Sequence, residues 1–225
     1  MTMTAPEVLT TTRASWHRLA EHVLAAGQFA AQGTIRLRPY PGGFATAVGL
    51  GDRQLAVVGD ELLVIRPDAV RSERLTTLGR AAHFAGVELG LRGSYPPSTS
   101  ADPDAPLPVD PTAARWLADW FALGEAALRR FAEEVGQPMD PVLWPEHLDL
   151  GVVLEAVNYG CSPGDVAMPE PYLYVGPHEG PPSGHAFWNT SFGATAAASR
   201  IRDEADSAVF FVQGRRRVLE DRSRS

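Results

Sequence analysis

The chain contains no lysine: all 20 of its basic residues are arginine. That excludes Schiff-base chemistry and the phosphate-gripping lysine of a P-loop. What remains is a cation that is always charged and suited to bidentate contact with carboxylate or phosphate. Cysteine is almost absent too. Cys161 stands alone, so no internal disulfide can form, which fits a reducing cytoplasm. No apolar run approaches the roughly 20 residues that span a bilayer. The opening MTMTAPEVLTTTRASW has no basic segment followed by an apolar one, so it does not read as a secretory signal. A positive surplus is missing as well. The formal net charge of −7 argues against nucleic acid or anionic membrane as a partner. There is no C-x-x-C, no zinc spacing and no H-E-x-x-H. No glycine-rich phosphate cradle follows a strand and opens a helix.

What is present suits a globular protein with a real core: 225 residues, of which 44% are hydrophobic and 21% charged. Residues 1–10 read as a loose tail. Thr11 or Thr12 can cap a helix to about Ala31 whose apolar face is Trp16, Leu19, Val23 and Ala30, ended by Gly33. Alternation over 34–38 and an apolar run over 44–50 predict strands around Pro41-Gly42-Gly43. Two more, 54–58 and 61–66, flank the tight turn Gly59-Asp60. A shorter helix follows, about Glu73 to Phe84. Residues 94–109 carry five prolines without helical or strand period and read as a linker or long surface loop. Asp110-Pro111 is a helix start, and Trp116, Trp120, Phe121, Ala127, Leu128 and Phe131 form its core-facing stripe. Strands are expected near 187–189, a segment at 194–199, and a last helix over Glu204 to Gln213. The arginine-rich end GRRRVLEDRSRS reads as solvated or frayed.

The expected architecture is α+β: antiparallel sheets with packed helices, because the connections are too short for parallel crossovers. Two related helix–strands–helix halves are suggested, 1–93 and 111–225, joined by the proline-rich segment 94–110, although no residue-level repeat supports duplication.

The chemistry concentrates between 142 and 189. Gly160-Cys161-Ser162-Pro163-Gly164 matches G-x-S-x-G. The residue after a nucleophilic serine must lend its N–H to the oxyanion hole, and Pro163 has none. The prolines at 169 and 171 also forbid the helix that should follow, so Ser162 reads as a turn residue, as does Cys161. If 146–159 is one strand, Leu148, Leu150, Val152 and Leu154 form its core face. His147, Asp149 and Glu155 then share the other face. There His147 could act as a general acid/base oriented by Asp149. With a third ligand, His178 or His185, the pair could instead complete the facial triad of a metal-dependent oxygenase or hydrolase, with Arg200 or Arg202 holding a cosubstrate. No metal ligand set is assigned, because both later histidines lie in the loop HEGPPSGH.

A third reading needs no metal. Tyr172 and Tyr174 share one face of their strand. With Asn158, Trp188 and Asn189 they could wall a groove for a small polar or cationic molecule. Glu170 is fixed between two prolines. Arg36 and Arg38 share a strand face and read as exposed. His22 and His83 lie on helices among apolar residues and read as packed.

The strings LWPEHLDL, NYGCSPGD, PEPYLYVGP and FWNTSFGA, with TIRLRPYPGGF and RWLADWFALGEAAL upstream, resemble a family of uncharacterised bacterial proteins. The resemblance covers most of the chain and implies no activity, cofactor or site residue. The loop HEGPPSGH is longer than the family's. The sequence thus points to a cytoplasmic protein that binds or acts on a small polar molecule. A metal-dependent enzyme using His147 and Asp149 and a non-enzymatic interaction protein are the alternatives. Cofactor and oligomeric state stay open.

Overall fold

The computed structural model describes residues 6–182 and 185–223. Residues 1–5 of the expected tail and 183–184 of the histidine loop lie outside the described residues. The fold is α+β, with ten strands antiparallel in every pairing. No helix among the described residues is long and apolar enough to cross a membrane. The chain divides into two compact units, Met1–Ala122 with Leu143–Asp149, and Leu123–Val142 with Leu150–Ser225. The division does not fall at 94–110. That segment belongs to the first unit, where hydrogen bonds to Glu21, described below, hold it.

In the first unit, α1 (Pro6–Leu19) passes through a π-helical turn (Ala20–Ala25) into α2 (Ala26–Gln32). The helix begins at Pro6, well before Thr11. Proline is tolerated in a first turn because its missing N–H has no partner there anyway, and Leu9 enters the core. Gly33 ends the helix at φ 70°, its N–H donating to Phe29 O. Six strands follow: β1 (Leu37–Tyr40), β2 (Gly43–Thr46), β3 (Gln54–Val58), β4 (Glu61–Ile65), β5 (Val70–Arg74) and, much later, β6 (Val142–Trp144). Their order is β6-β1-β2-β3-β4-β5. The Gly59-Asp60 turn joins β3 to β4 as read from sequence.

The helix expected over 73–84 is corrected. Residues 70–74 pair with β4 as an edge strand. The helix α3 (Leu78–Ala85) starts only at Thr77, whose hydroxyl accepts from Arg80 N–H. Trp16, Leu19, Val23 and Leu24 of the helix are buried, as are Phe44, Leu55, Val57 and Leu62 of the sheet. Each such side chain contributes about 1.5–3 kcal/mol of transfer free energy. Trp16 meets Phe44 edge-on at 5.4 Å and donates its indole N–H to Gly59 O at 3.1 Å. That bond ties the helix to the β3–β4 hairpin.

The helix α4 (Pro111–Glu134) begins at Asp110, whose carboxylate accepts from Thr112 and Ala113 N–H at 2.9 Å each. Its later residues belong to the second unit, with β7 (Asp149–Leu154), β8 (Val157–Ser162), β9 (Tyr172–Pro177), β10 (Ala194–Ala197) and α5 (Glu204–Arg222). Strand order there is β7-β8-β9-β10. One face carries Leu150, Val152, Val157, Tyr159, Cys161, Leu173, Val175 and Ala194, all buried. Two glycines let the helices lie close to it. A Cβ at Gly124 would meet Cys161 Sγ at 2.7 Å, and one at Gly214 would meet Val175 at 2.7 Å.

Three expectations are corrected here. The single strand over 146–159 is a hairpin. Glu155 and Ala156 take φ of 52° and 59°, the left-handed pair of a two-residue turn whose twist suits the flanking strands. Residues 187–189 form no strand. The arginine-rich end continues α5 to Arg222, braced by Arg217 to Glu220 at 3.1 Å and Arg215 to Glu155 at 2.9 Å.

Candidate functional site

The structure disperses the residues singled out from sequence. His147 is exposed and sits on the turn between β6 and β7, not on a strand. Leu148 has φ 52°, so strand alternation does not carry from Asp149 back to His147. Asp149 opens β7 and is half-buried. Glu155 is at the hairpin tip, where its carboxylate accepts from Arg215 and its carbonyl from Arg222. It therefore cannot share a strand face with Asp149.

Asn158 is exposed on β8 and accepts from His178 Nε2 at 3.1 Å. Tyr172 donates to Asp165 at 2.7 Å. Tyr174 shares its face and meets it edge-on at 6.3 Å. The ring of Tyr174 lies across Gly160, where any Cβ would overlap it, and its hydroxyl comes within 3.1 Å of a Cβ built at Gly151. The two glycines oppose each other across β7 and β8 and form the seat of that ring, an aromatic covering bare strand backbone.

Asn189 is structural. Its amide accepts from Thr195 N–H at 2.8 Å and donates to Thr195 O at 2.9 Å, so it closes the outer edge of β10 as a further strand would. Trp188 packs edge-on against Phe187 at 5.0 Å. His185 accepts from Phe187 N–H, and Arg202 is committed to Asp206. The facial triad does not form: among the described residues no group of three His, Cys, Asp or Glu side chains is placed to hold a metal ion. Ser162 is buried, and its hydroxyl accepts from Gly164 N–H at 3.1 Å, a turn contact. Arg36 and Arg38 lie over Trp144 and Tyr40.

A different polar cluster is assembled in the first unit, around the π-helical turn. That turn contains one more residue than α-helical hydrogen bonding would, and it carries Glu21 and His22, both buried. The Glu21 carboxylate accepts from Tyr95 Oη at 3.1 Å and Ser98 N at 2.9 Å. It also accepts from Thr99 N at 2.9 Å and Thr99 Oγ1 at 2.5 Å. The segment SYPPSTS is thus wrapped onto one charge, and its prolines keep it extended enough to present successive N–H groups.

Because Thr99 Oγ1 donates to Glu21, it must accept from His22 Nε2 at 3.0 Å. Nε2 also lies 2.9 Å from Thr99 O. Nε2 therefore carries the proton, and Nδ1 is left buried without a partner among the described residues. Burial together with Glu21 drives the Tyr95 hydroxyl strongly upward in pKa, so it stays protonated and donates to the carboxylate.

At the mouth of this cluster the exposed Ser98 hydroxyl lies 3.3 Å from His17 Nε2, 3.2 Å from Glu146 O and 3.4 Å from Glu21 Oε1. Serine, histidine and glutamate side by side suggest nucleophilic catalysis, but the ring is turned wrongly for it. The same Nε2 faces Ser98, the Glu146 carbonyl at 3.2 Å and Glu21 at 3.9 Å. To bond a carbonyl it must carry the proton, so it cannot take one from Ser98, whereas a triad acid binds the opposite nitrogen.

The titrating group at the mouth is Glu146. It is half-buried. Desolvation raises its pKa, with Asp149 and Glu21 adding to the rise, while its own backbone N–H and His147 oppose it. His17 is shifted the other way. Burial lowers it, and attraction to Glu21 partly restores it. Both shifts have the same first cause, burial, which disfavours the charged form of each group.

Glu21, His17, Ser98 and Glu146 were missed from sequence. Glu21-His22 does interrupt the apolar stripe between Leu19 and Val23, and SYPPSTS is dense in hydroxyls. Together these were the available signal. No family model, no curated protein and no solved structure matches the chain.

Proposed function

We propose that the protein is cytoplasmic and binds a small polar molecule, with a cationic or hydrogen-bond-donating group, at the Ser98–His17–Glu146 mouth of the first unit. The observation that carries this reading is the Ser98 hydroxyl: exposed, and within hydrogen-bond reach of groups from the helix and from the β6–β7 turn at once. The neighbouring Glu146 supports it, since a half-buried carboxyl whose pKa is raised by desolvation is suited to receive a cation or to exchange a proton with a bound molecule. If the bound molecule is transformed, Glu146 is the general acid/base, and the exposed His147 and the half-buried Asp149 tune it. The net charge of −7 favours a cationic ligand over nucleic acid. The buried lone cysteine supports a reducing compartment.

The test is a thermal-shift screen of polar amines, amino acids and nucleosides against wild type, Ser98→Ala and Glu146→Gln. A saturable stabilisation that both variants lose, with unchanged circular dichroism, supports the reading. A screen without a saturable ligand, or one whose ligand both variants still bind, overturns it in favour of an interaction protein whose cluster only pins a loop.

A further inference from the structure

Among the described residues the outer edge of β5 is left open, whereas part of the β10 edge is covered. On β10 the side chain of Asn189 takes up both outward main-chain groups of Thr195. On β5 the bonds from Leu75 N to Asp60 O and from Arg66 N to Ala69 O fix the alternation. Residues 69, 71, 73 and 75 turn their main chain toward β4, and Val70, Ser72 and Arg74 turn theirs away. Further along, the outward groups of Thr76 and Leu78 are taken by Leu107 N and Ala105 O. The open row is therefore confined to 70–74, and Val70 within it is 62% exposed.

Charges normally protect such an edge from self-association. Here they are ordered so that they do the reverse. Arg71 and Glu73 flank Ser72 on one face of the strand, the face toward α3. Arg71 lies over the Phe84 ring at 5.1 Å, and Glu73 bonds Arg80 at 3.4 Å, so both are held in place.

We propose that β5 is the surface on which a second copy of this chain docks, strand to strand and antiparallel, with the two-fold axis at Ser72. In that register Ser72 faces its own copy and Val70 faces Arg74. The outward groups then exchange about six main-chain hydrogen bonds, two at each of three pairs. Each Arg71 falls opposite the other copy's Glu73 at positions where cross-strand side chains are closest, giving two ion pairs of opposite sign. The contact is self-complementary, as a two-fold interface must be.

Analytical ultracentrifugation of the full chain over a concentration series tests this, together with hydrogen exchange at the amides of Val70, Ser72 and Arg74. The expected result is a dimer whose formation protects those three amides. Ser72→Pro removes one outward N–H without touching the β4 ladder, and is expected to give a folded monomer. Arg71→Glu places like charges opposite each other twice and is expected to weaken association by about ten-fold or more. Adding Glu73→Arg to it restores association, which keeps the test decisive should Ser72→Pro fail to fold. A wild-type chain that stays monomeric up to its solubility limit overturns the proposal. So does a dimer that leaves the three amides unprotected, or one indifferent to both Ser72→Pro and the charge exchange.

Discussion

Glu21 in the first unit and Tyr159 in the second pose the same physical problem and answer it in opposite ways. Both are polar and almost wholly enclosed, at 0% and 1% exposure. Glu21 is surrounded by two backbone N–H groups and by hydroxyls of Tyr95, Ser98 and Thr99. Tyr159 packs its ring between Phe131 at 4.6 Å and Phe211 at 6.3 Å, and among the described residues its hydroxyl has no hydrogen-bond partner. A buried charge is tolerated only when donors converge on it. A large aromatic can carry one unsatisfied hydroxyl, because its ring buries so much apolar area. The first unit therefore gains its order around the site from polar convergence, and the second from aromatic packing.

The contrast is broken most severely at Glu21. Glu21→Ala strands the Ser98 and Thr99 N–H groups and the Tyr95 hydroxyl together, and is expected to destabilise by about 3–5 kcal/mol, the range for breaking a buried charged network. Urea denaturation followed by tryptophan fluorescence measures it. The loop 94–109 should also become more susceptible to proteolysis than the rest of the unit. A loss below about 1 kcal/mol would show that the loop is held by something other than this carboxylate.

Next in size is the tyrosine seat. Gly160→Val would force the Tyr174 ring off the sheet and is expected to cost about 1–3 kcal/mol. Tyr174→Ala in the same background should recover part of the loss, because the overlap is between those two residues. Urea midpoints of the single and double variants measure the coupling.

How far the sequence reaches is clear from these same regions. Local signals were reliable: Gly33 as a helix stop, Gly59-Asp60 as a hairpin, Asp110-Pro111 as a helix start, and Tyr172 and Tyr174 on one face. Each depends on a few neighbouring residues whose backbone preferences agree. Glu155-Ala156 carries no glycine or asparagine, so nothing marked it as a turn, and its left-handed pair comes from the pairing of β7 with β8. The Arg-Ser-Glu-Arg strand β5 has helix-compatible residues and becomes a strand only because β4 offers it an edge. Every residue from Leu19 to Gln28 is buried, and Ser98 and Thr99 lie over Glu21. Periodicity counted from Trp16 marks one apolar face and carries no sign of that cover. His147 and Asp149 are the residues that spacing singles out in this stretch, but the carboxyl with the raised pKa is their neighbour Glu146, and what raises it first is burial, which one-dimensional spacing does not carry.

Titration gives a smaller, signed difference. Glu146 has its folded pKa above the ordinary 4.5, so the protonated acid is the form the fold prefers. Its stabilising contribution is complete below about 4.5 and is lost as pH rises through the folded value. His17 has its folded pKa below 6.5. Its contribution is complete above that pH and is lost as pH falls through the folded value. The two slopes have opposite sign. Glu146→Gln is expected to raise the melting temperature slightly at pH 7 and to leave the acid-side loss steeper. His17→Gln should flatten that loss. Melting curves from pH 4 to 8 separate the two, and identical profiles for wild type and Glu146→Gln would show that this carboxyl is not perturbed.

The smallest effect belongs to Tyr159, and it sharpens the comparison most. Burial drives the pKa of its hydroxyl upward, so the group stays neutral, and its desolvation is uncompensated because among the described residues no acceptor reaches it. Tyr159→Phe removes that polar atom and keeps the contacts with Phe131 and Phe211. The expected change is within about 1 kcal/mol of zero and toward greater stability, since deleting an unpaired buried polar group removes its desolvation cost. The equivalent isosteric change in the first unit, Glu21→Gln, turns two acceptor oxygens into one acceptor and one donor facing N–H groups, and must destabilise. If Tyr159→Phe instead costs about 1.5 kcal/mol or more, the hydroxyl has an ordered water as partner, and the second unit solves its buried polar group by convergence as the first does.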